Sequence, residues 1–162
     1  MYNLKYTIPF IDIDGNSHVV QILEKDGFKV KFSKNLFSNT CGYSATAKEK
    51  AEDINDMFQD KDVKMVWCAK GGNNSNSVFE YLDYNVIKNN PKIVCGYSDI
   101  TSLTNMIFSK TGLVTFSGTN FKTIATDETD YSYKEIIKRF VEGSLEIERK
   151  NTTDDRWIEH CI

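Results

Sequence analysis

Short apolar runs alternate along this chain with segments of helical periodicity, and this alternation constrains the fold more than any other feature. Apolar runs at Val63–Ala69, Ile93–Cys95 and Leu113–Phe116 are separated by stretches that carry helix caps and helical spacing. Parallel strands need crossover connections of that length, and such connections are right-handed. We therefore predict an α/β fold in which a parallel sheet is flanked by helices on both faces.

Two local patterns predict elements in the first third of the chain. Apolar and polar residues alternate over Phe28–Phe32, which is typical of an edge or half-buried strand. Thr46 and Glu49 have the spacing of a capping box, which predicts a helix running to about Phe58.

Other helices are predicted from their stop signals. The stretch Met1–Asn16 gives no clear periodicity, and a short helix capped by Ser17 is predicted to end at Gly27. Later helices are predicted over Asp99–Lys110 and over Tyr131–Val141, each followed by a glycine.

Length and composition fit one folded domain. The chain has 162 residues, of which 40% are hydrophobic and 27% are charged, so it can bury one core of ordinary size. We expect residues 1–143 to form the α/β domain. Residues 144–162 hold few core residues and are predicted to be a tail, or the start of a linker to a missing C-terminal domain.

Charge and hydropathy argue against several classes of function. With 20 basic and 23 acidic residues the net charge is -3, which gives no broad positive surface for nucleic acid. The sequence does not open with the charged and then apolar pattern of a secretory leader, so none is expected, and no apolar run approaches the length of about 18 residues typical of a membrane span. We therefore expect a cytoplasmic protein without a membrane partner. The cysteines form no C-x-x-C pair, so no zinc site is expected.

The strongest chemical signal is the segment Lys92–Thr101, KIVCGYSDIT, in which an apolar strand leads to a serine and then to a helix. Gly96 lies two residues before Ser98, as in a nucleophile elbow. A serine on such a tight turn projects its hydroxyl outward, and the helix N-terminus offers N–H groups to developing negative charge. Ser98 is therefore the candidate nucleophile, although Ile100 stands where a small residue is usual.

The residues alone leave other interpretations of this segment open. Ser98 or Asp99 can simply cap the following helix, and Cys95 can be the nucleophile of an amidotransferase-type domain. The tetrapeptide Cys-Gly-Tyr-Ser also occurs at residues 41–44, but there a polar stretch precedes it. Ser44 is therefore predicted to lie in a loop that leads to a helix.

A second candidate site is the loop at residues 71–77, GGNNSNS, which follows a predicted strand. Its glycines would let backbone amides approach a substrate oxygen or phosphate closely. The same letters also suit a glycine turn followed by an Asn or Ser helix cap. Ligands of parallel sheets bind beyond the carboxyl ends of the strands, so we expect this loop and Ser98 to meet at one edge of the sheet.

Three stretches resemble the serine LD-carboxypeptidases, a family that includes muramoyl-tetrapeptide carboxypeptidases and microcin C self-immunity proteins. They are GGNNSNSVFEYLDY at Gly71–Tyr84, NPKIVCGYSDIT at Asn90–Thr101 and KTGLVTFSG at Lys110–Gly118. The whole resemblance covers roughly Gly27–Trp157. The Asn-Ser-Asn that follows the paired glycines is more similar to the immunity-protein branch.

The resemblance implies the N-terminal domain of a Ser-His-Glu hydrolase in which Ser98 attacks an amide carbonyl. It further implies that backbone N–H groups of Asp99 and of Gly71 or Gly72 hold the oxyanion. The implied substrates are an L-to-D amide in a murein tetrapeptide or an aminoacyl nucleotide of the microcin C type, and no metal or organic cofactor is implied. The residues expected to bind substrate are Asn73, Asn74 and Ser75.

Departures from the family pattern predict an incomplete catalytic site. Family members are longer and take their histidine and glutamate from a C-terminal domain. This chain has only His18, expected where a helix begins, and His160, in the tail; neither is expected near Ser98. The family's opening strand and the loop after it are expected to be missing or eroded at Tyr6–Asp14, and Lys50 stands where an arginine is usual.

Two hypotheses of function follow. The first is the N-terminal half of a serine peptidase, nearly inert alone because no base is positioned. The second is a noncatalytic binding or assembly module that keeps the fold and the cleft. A cleft face left partly apolar also predicts self-association, for example as a homodimer. Aromatic candidates for that surface are Phe116, Phe121, Tyr131, Tyr133, Phe140 and Trp157.

Overall fold

A computed structural model of the chain describes residues 5–8, 13–39, 44–126 and 131–145. Within these ranges five strands form one parallel sheet in the order β2-β1-β3-β4-β5. The strands are β1 (Lys5–Ile8), β2 (Lys29–Phe32), β3 (Val63–Trp67), β4 (Ile93–Gly96) and β5 (Phe116–Ser117). The predicted parallel α/β sheet is confirmed.

Helices cover both faces of this sheet, as predicted. One buried cluster is formed with α2, α3 and α4, and the other with α1, α5 and α6. The helices are α1 (Ile13–Lys25), α2 (Ala47–Gln59), a 3-10 helix (Ser75–Tyr81), α3 (Tyr84–Asn89), α4 (Ile100–Thr111), α5 (Phe121–Thr126), α6 (Tyr131–Ile136) and a π-helical turn (Ile137–Val141). No helix in the described ranges has the length and apolar character that a membrane crossing requires.

Helix α2 begins at the predicted capping box. The Glu49 N–H donates to the Thr46 hydroxyl at 3.3 Å, and the Glu49 carboxylate accepts the Thr46 N–H at 2.8 Å. These hydrogen bonds favour the ionised carboxylate, so the pKa of Glu49 lies below its usual value. The inward face of α2 buries Ile54, Met57 and Phe58 against the sheet.

Strands β3 and β4 are buried on both faces, because a side-chain period of two sends neighbouring residues to opposite sides. Val66 and Val94 belong to the cluster on the α2 side, while Trp67 and Cys95 belong to the cluster on the α1 side. The Trp67 indole N–H donates to the Thr119 carbonyl at 2.6 Å, which satisfies a polar group of a fully buried ring.

Two expectations for the N-terminal part are wrong. The opening strand is present as β1, which pairs with both β2 and β3 in the interior of the sheet. Helix α1 begins at Ile13, so Ser17 and His18 lie within the helix rather than at its start. Gly15 and Asn16 are weak helix formers and hide this start in the sequence.

Later elements follow the predictions with shifted bounds. Helix α4 begins at Ile100 and ends at Thr111, and the C-cap residue Gly112 has a φ of 74°. Strand β5 is only two residues long, because just Phe116 and Ser117 pair with β4. Of the aromatic residues predicted for an exposed face, Phe116 and Tyr131 are 37% and 43% exposed, while Phe121 and Tyr133 are buried. Trp157 lies outside the described residues.

Candidate active site

Ser98 lies at a sharp bend between strand β4 and helix α4. Its φ is 65°, and it is the one non-glycine residue in the described ranges with a positive φ. The Thr101 N–H donates to the Ser98 carbonyl at 2.9 Å, which starts the helix directly behind the bend. The Ser98 side chain is exposed. The strand–turn–helix arrangement predicted for this segment is confirmed.

The bend requires a glycine at position 96, because the neighbouring atoms leave no room for a side chain. A Cβ atom at position 96 would lie 2.7 Å from Ile100 Cγ2, 3.0 Å from Asn120 Oδ1 and 3.0 Å from Cys68 Cβ. Such distances are well inside van der Waals contact. Ile100, which departs from the usual small residue, therefore fills the space that Gly96 leaves open.

The glycine loop after β3 lies directly against Ser98. A Cβ atom at Gly71 would be 2.8 Å from Ser98 Cβ and 3.0 Å from Ser98 Oγ. A Cβ atom at Gly72 would be 3.3 Å from a carboxylate oxygen of Asp99. The two motifs thus meet at the carboxyl edge of the sheet, as predicted.

Asp99 ties this loop to the start of α4. Its carboxylate accepts the N–H of Asn74 at 2.9 Å and the N–H of Ser75 at 2.8 Å. The Ser75 hydroxyl donates to the Asp99 carbonyl at 2.5 Å, and the Ser102 hydroxyl donates to the same carbonyl at 2.8 Å. The Asp99 side chain makes no capping bond to its own helix, so the capping interpretation is wrong for this residue.

A cleft of about 440 Å³ opens beside Ser98. Lys70 and Lys122 line it and place positive charge near the serine. Asn120 also lines it; this buried side chain accepts the Tyr97 N–H at 3.0 Å and so holds the residue before the serine. Sequence reasoning missed these residues, although Asn120 follows β5 at the same edge of the sheet, a position that could have identified it.

A second cavity of about 320 Å³ lies on the other side of the glycine loop. Lys50 lines this cavity and donates to the Asn74 side-chain carbonyl at 3.2 Å. Burial lowers the pKa of Lys50, and the nearby Asp99 charge acts in the opposite direction. Ser44, from the other copy of the tetrapeptide, lines this second cavity and is not among the residues that line the Ser98 cleft.

Cys95 does not fit the alternative nucleophile. Its side chain is buried, and desolvation raises the pKa of the thiol to about 12. The sulfur lies 3.8 Å from the Thr119 carbonyl, inside the core rather than in the cleft. A thiol with this pKa holds almost no thiolate at neutral pH.

The structure describes the side chain of neither histidine, so it places neither of them in the cleft. His18 is described only by its backbone in α1, and His160 lies outside the described residues. Among the residues with described side chains, no group of three or more His, Cys, Asp and Glu could hold a metal ion.

Comparison with known proteins gives a family match over residues 11–118, to a model described as the LD-carboxypeptidase N-terminal domain. The putative carboxypeptidase YocD of Bacillus subtilis is 39% identical over 141 residues, which are 84% of this chain and 43% of YocD. The probable murein peptide carboxypeptidase of the same organism is 41% identical over 122 residues, covering 72% of this chain and 38% of that protein.

A solved structure gives a similar result. The microcin C7 self-immunity protein MccF, known from Escherichia coli, in complex with aspartyl sulfamoyl adenosine matches with a TM-score of 0.76 and 31% identity, over 92% of this chain and 47% of that one. The chain therefore spans less than half the length of these relatives.

Proposed function

The chain belongs to the LD-carboxypeptidase family, and from that premise we propose that it is the nucleophile-bearing half of a serine peptidase. Ser98 is the proposed nucleophile. The reaction is hydrolysis of an amide: the serine oxygen adds to the carbonyl carbon, the amine leaves with the serine proton, and water then cleaves the resulting serine ester to release the acid and restore the serine. The substrates proposed are murein tetrapeptides or aminoacyl nucleotides of the microcin C type.

One observation carries this proposal: an exposed serine in the left-handed region of φ, at 65°, behind a buried strand. For a residue that carries a β-carbon, this backbone conformation costs roughly 1–2 kcal/mol. Strain of this kind gathers at functional sites, where the surrounding structure enforces it. A serine that only capped a helix would need no such conformation, because capping residues have ordinary extended geometry.

The proposed oxyanion hole uses backbone N–H groups of Asp99 and of Gly71 or Gly72. Its support is the close approach of Gly71 to Ser98, which no residue with a side chain would permit. The substrate-binding role of Asn73, Asn74 and Ser75 remains a proposal as well. Of these three, Asn73 has an exposed side chain at the loop, while Ser75 is buried.

We propose that the base and its carboxylate partner come from the part of the family's length that this chain does not span. A serine hydroxyl without a positioned base is a weak nucleophile. Loss of members of a catalytic triad lowers rates by several orders of magnitude. The chain alone is therefore expected to hydrolyse its substrate very slowly.

The test supplies the remaining half in trans. The purified chain is mixed with the separately expressed C-terminal half of YocD, and hydrolysis of a murein tetrapeptide and of aspartyl sulfamoyl adenosine is followed by mass spectrometry. We expect one substrate to be hydrolysed at least about a hundredfold faster by the mixture than by either half alone, since a general base typically contributes that much or more.

Ser98→Ala should abolish this hydrolysis, while Ser44→Ala, which changes the other copy of the tetrapeptide, should leave it intact. An ordinary enzymatic rate from the chain alone, abolished by Ser98→Ala, would contradict the proposed incompleteness. Substrate binding by calorimetry that Ser98→Ala leaves unchanged, without hydrolysis in any mixture, would favour the noncatalytic binding module instead.

A further inference from the structure

We infer that the Asp99 carboxylate is a positioning residue: it holds the Gly71–Ser75 loop in the register that the oxyanion requires. This inference rests on the proposed function and assigns the side chain of Asp99 a task separate from that of its backbone N–H. Acting through the loop, the carboxylate is not itself in contact with the reacting atoms.

The contacts that support this inference join two motifs 25 residues apart. One oxygen of the carboxylate, Oδ2, accepts two consecutive N–H groups, those of Asn74 and Ser75, at 2.9 and 2.8 Å. Two donors on one charged acceptor fix both the distance and the orientation of the loop backbone. The Ser75 hydroxyl adds a third bond, to the Asp99 carbonyl.

The loop depends on these bonds because it has cavities on both sides. Lys70, Gly71 and Gly72 line the cleft beside Ser98 and also the cavity that contains Lys50. Glycines restrict the backbone less than any other residue. The close contact with Ser98 limits Gly71 on one side only, so the hydrogen bonds at Asn74 and Ser75 supply the remaining constraint on the loop.

Lys50 completes the arrangement from behind the loop. Its ammonium group donates to the Asn74 side chain and interacts with the Asp99 charge. A buried cation and a partly buried carboxylate on either side of Asn74 therefore hold the same peptide segment.

The first experiment measures this anchor without reference to catalysis. Backbone amide exchange at Asn74 and Ser75 is followed by NMR in the full chain, in Asp99→Asn and in the matched control Asp83→Asn. Asp83 is a suitable control because its carboxylate also accepts two backbone N–H groups, of Asn85 and Val86, at 3.0 and 2.9 Å. We expect exchange at the loop to be about tenfold or more faster in Asp99→Asn only, as loss of a charged hydrogen bond predicts.

The second experiment compares two ligand affinities, and a general loss of stability would lower both of them equally. A peptide boronic acid carrying boron in place of the scissile carbonyl carbon binds as a tetrahedral anion: a bond forms from Ser98 Oγ to boron, and the serine proton passes to solvent. Its dissociation constant is compared with that of the same peptide as a C-terminal amide. Asp99→Asn should weaken boronate binding at least about tenfold more than amide binding, since both ligands contact the loop but only the anion also uses the oxyanion hole.

The outcomes separate this inference from the proposed function. Unchanged loop exchange in Asp99→Asn, or faster exchange with unaltered boronate affinity, overturns the positioning role. Equal effects of Asp83→Asn on the boronate also overturn it. Failure to form an adduct that Ser98→Ala removes, even when the C-terminal half of YocD is added to supply the base, overturns the proposed function. In that case the exchange rates still decide whether Asp99 anchors the loop.

Discussion

Replacing Ser98 by glycine should stabilise the fold while removing the proposed nucleophile. The residue has a φ of 65°, a conformation that costs an L-residue roughly 1–2 kcal/mol and costs glycine nothing. Glycine loses more chain entropy on folding, by roughly 0.5–1 kcal/mol. The midpoints of these ranges leave Ser98→Gly more stable than the parent chain by about 0.75 kcal/mol, and their extremes span about 0–1.5 kcal/mol.

The assay is urea unfolding followed by circular dichroism, with two controls. Ser98→Ala keeps the β-carbon and therefore the strain, so its free energy of unfolding should stay within about 0.5 kcal/mol of the parent. Ser109→Gly makes the same chemical change at an exposed position inside α4, where glycine should destabilise by about 0.5–1 kcal/mol.

The sign of the difference in unfolding free energy between Ser98→Gly and Ser98→Ala shows whether the backbone at residue 98 is strained. If Ser98→Gly is less stable than Ser98→Ala, the bend is not strained at this residue. The φ of Ser98 would then not mark a conformation that is kept for function.

Three further predictions concern the packing beneath the bend. Gly96→Ala should destabilise the chain by about 1–3 kcal/mol in urea titrations, because the new methyl group would overlap Ile100 and Asn120; a loss under about 0.5 kcal/mol would show that the turn relaxes. Burial raises the pKa of Cys68 and of Cys95 from 9.0 to about 12, so both thiols should resist iodoacetamide at about pH 8 in the folded chain and react in urea, as peptide mass mapping would show. These thiols ionise first in the unfolded chain, so their contribution to stability should fall between pH 9.0 and about 12, and the decline should be shallower in Cys95→Val.

Sequence reasoning succeeded where the determinants are local. The Thr46–Glu49 capping box and the bend at Ser98 each depend on a few neighbouring residues, and both appear where the spacing predicted them. Strand β1 could not be found in this way. It is four residues long, and its interior place in the sheet, next to the edge strand β2, comes from pairing with β2 and β3.

The candidate site shows the same division. Ser98 and the paired glycines stand out in the sequence, whereas the bonds from Asp99 to the loop and from Asn120 to Tyr97 join residues 23 to 25 positions apart. No periodicity encodes such partners.

Three expectations from the sequence stay predictions. They are the domain boundary after residue 143, self-association and a cytoplasmic location.

The burial of β4 on both faces has a consequence for how the chain opens. Val94 and Cys95 contribute to opposite clusters, and the strained residue follows them by only a few positions. The bend cannot relax by fraying, because releasing it means withdrawing a strand from two cores at once. We therefore expect Ser98 to open only when the sheet unfolds cooperatively, so that cleavage by a protease at this turn would report global rather than local instability.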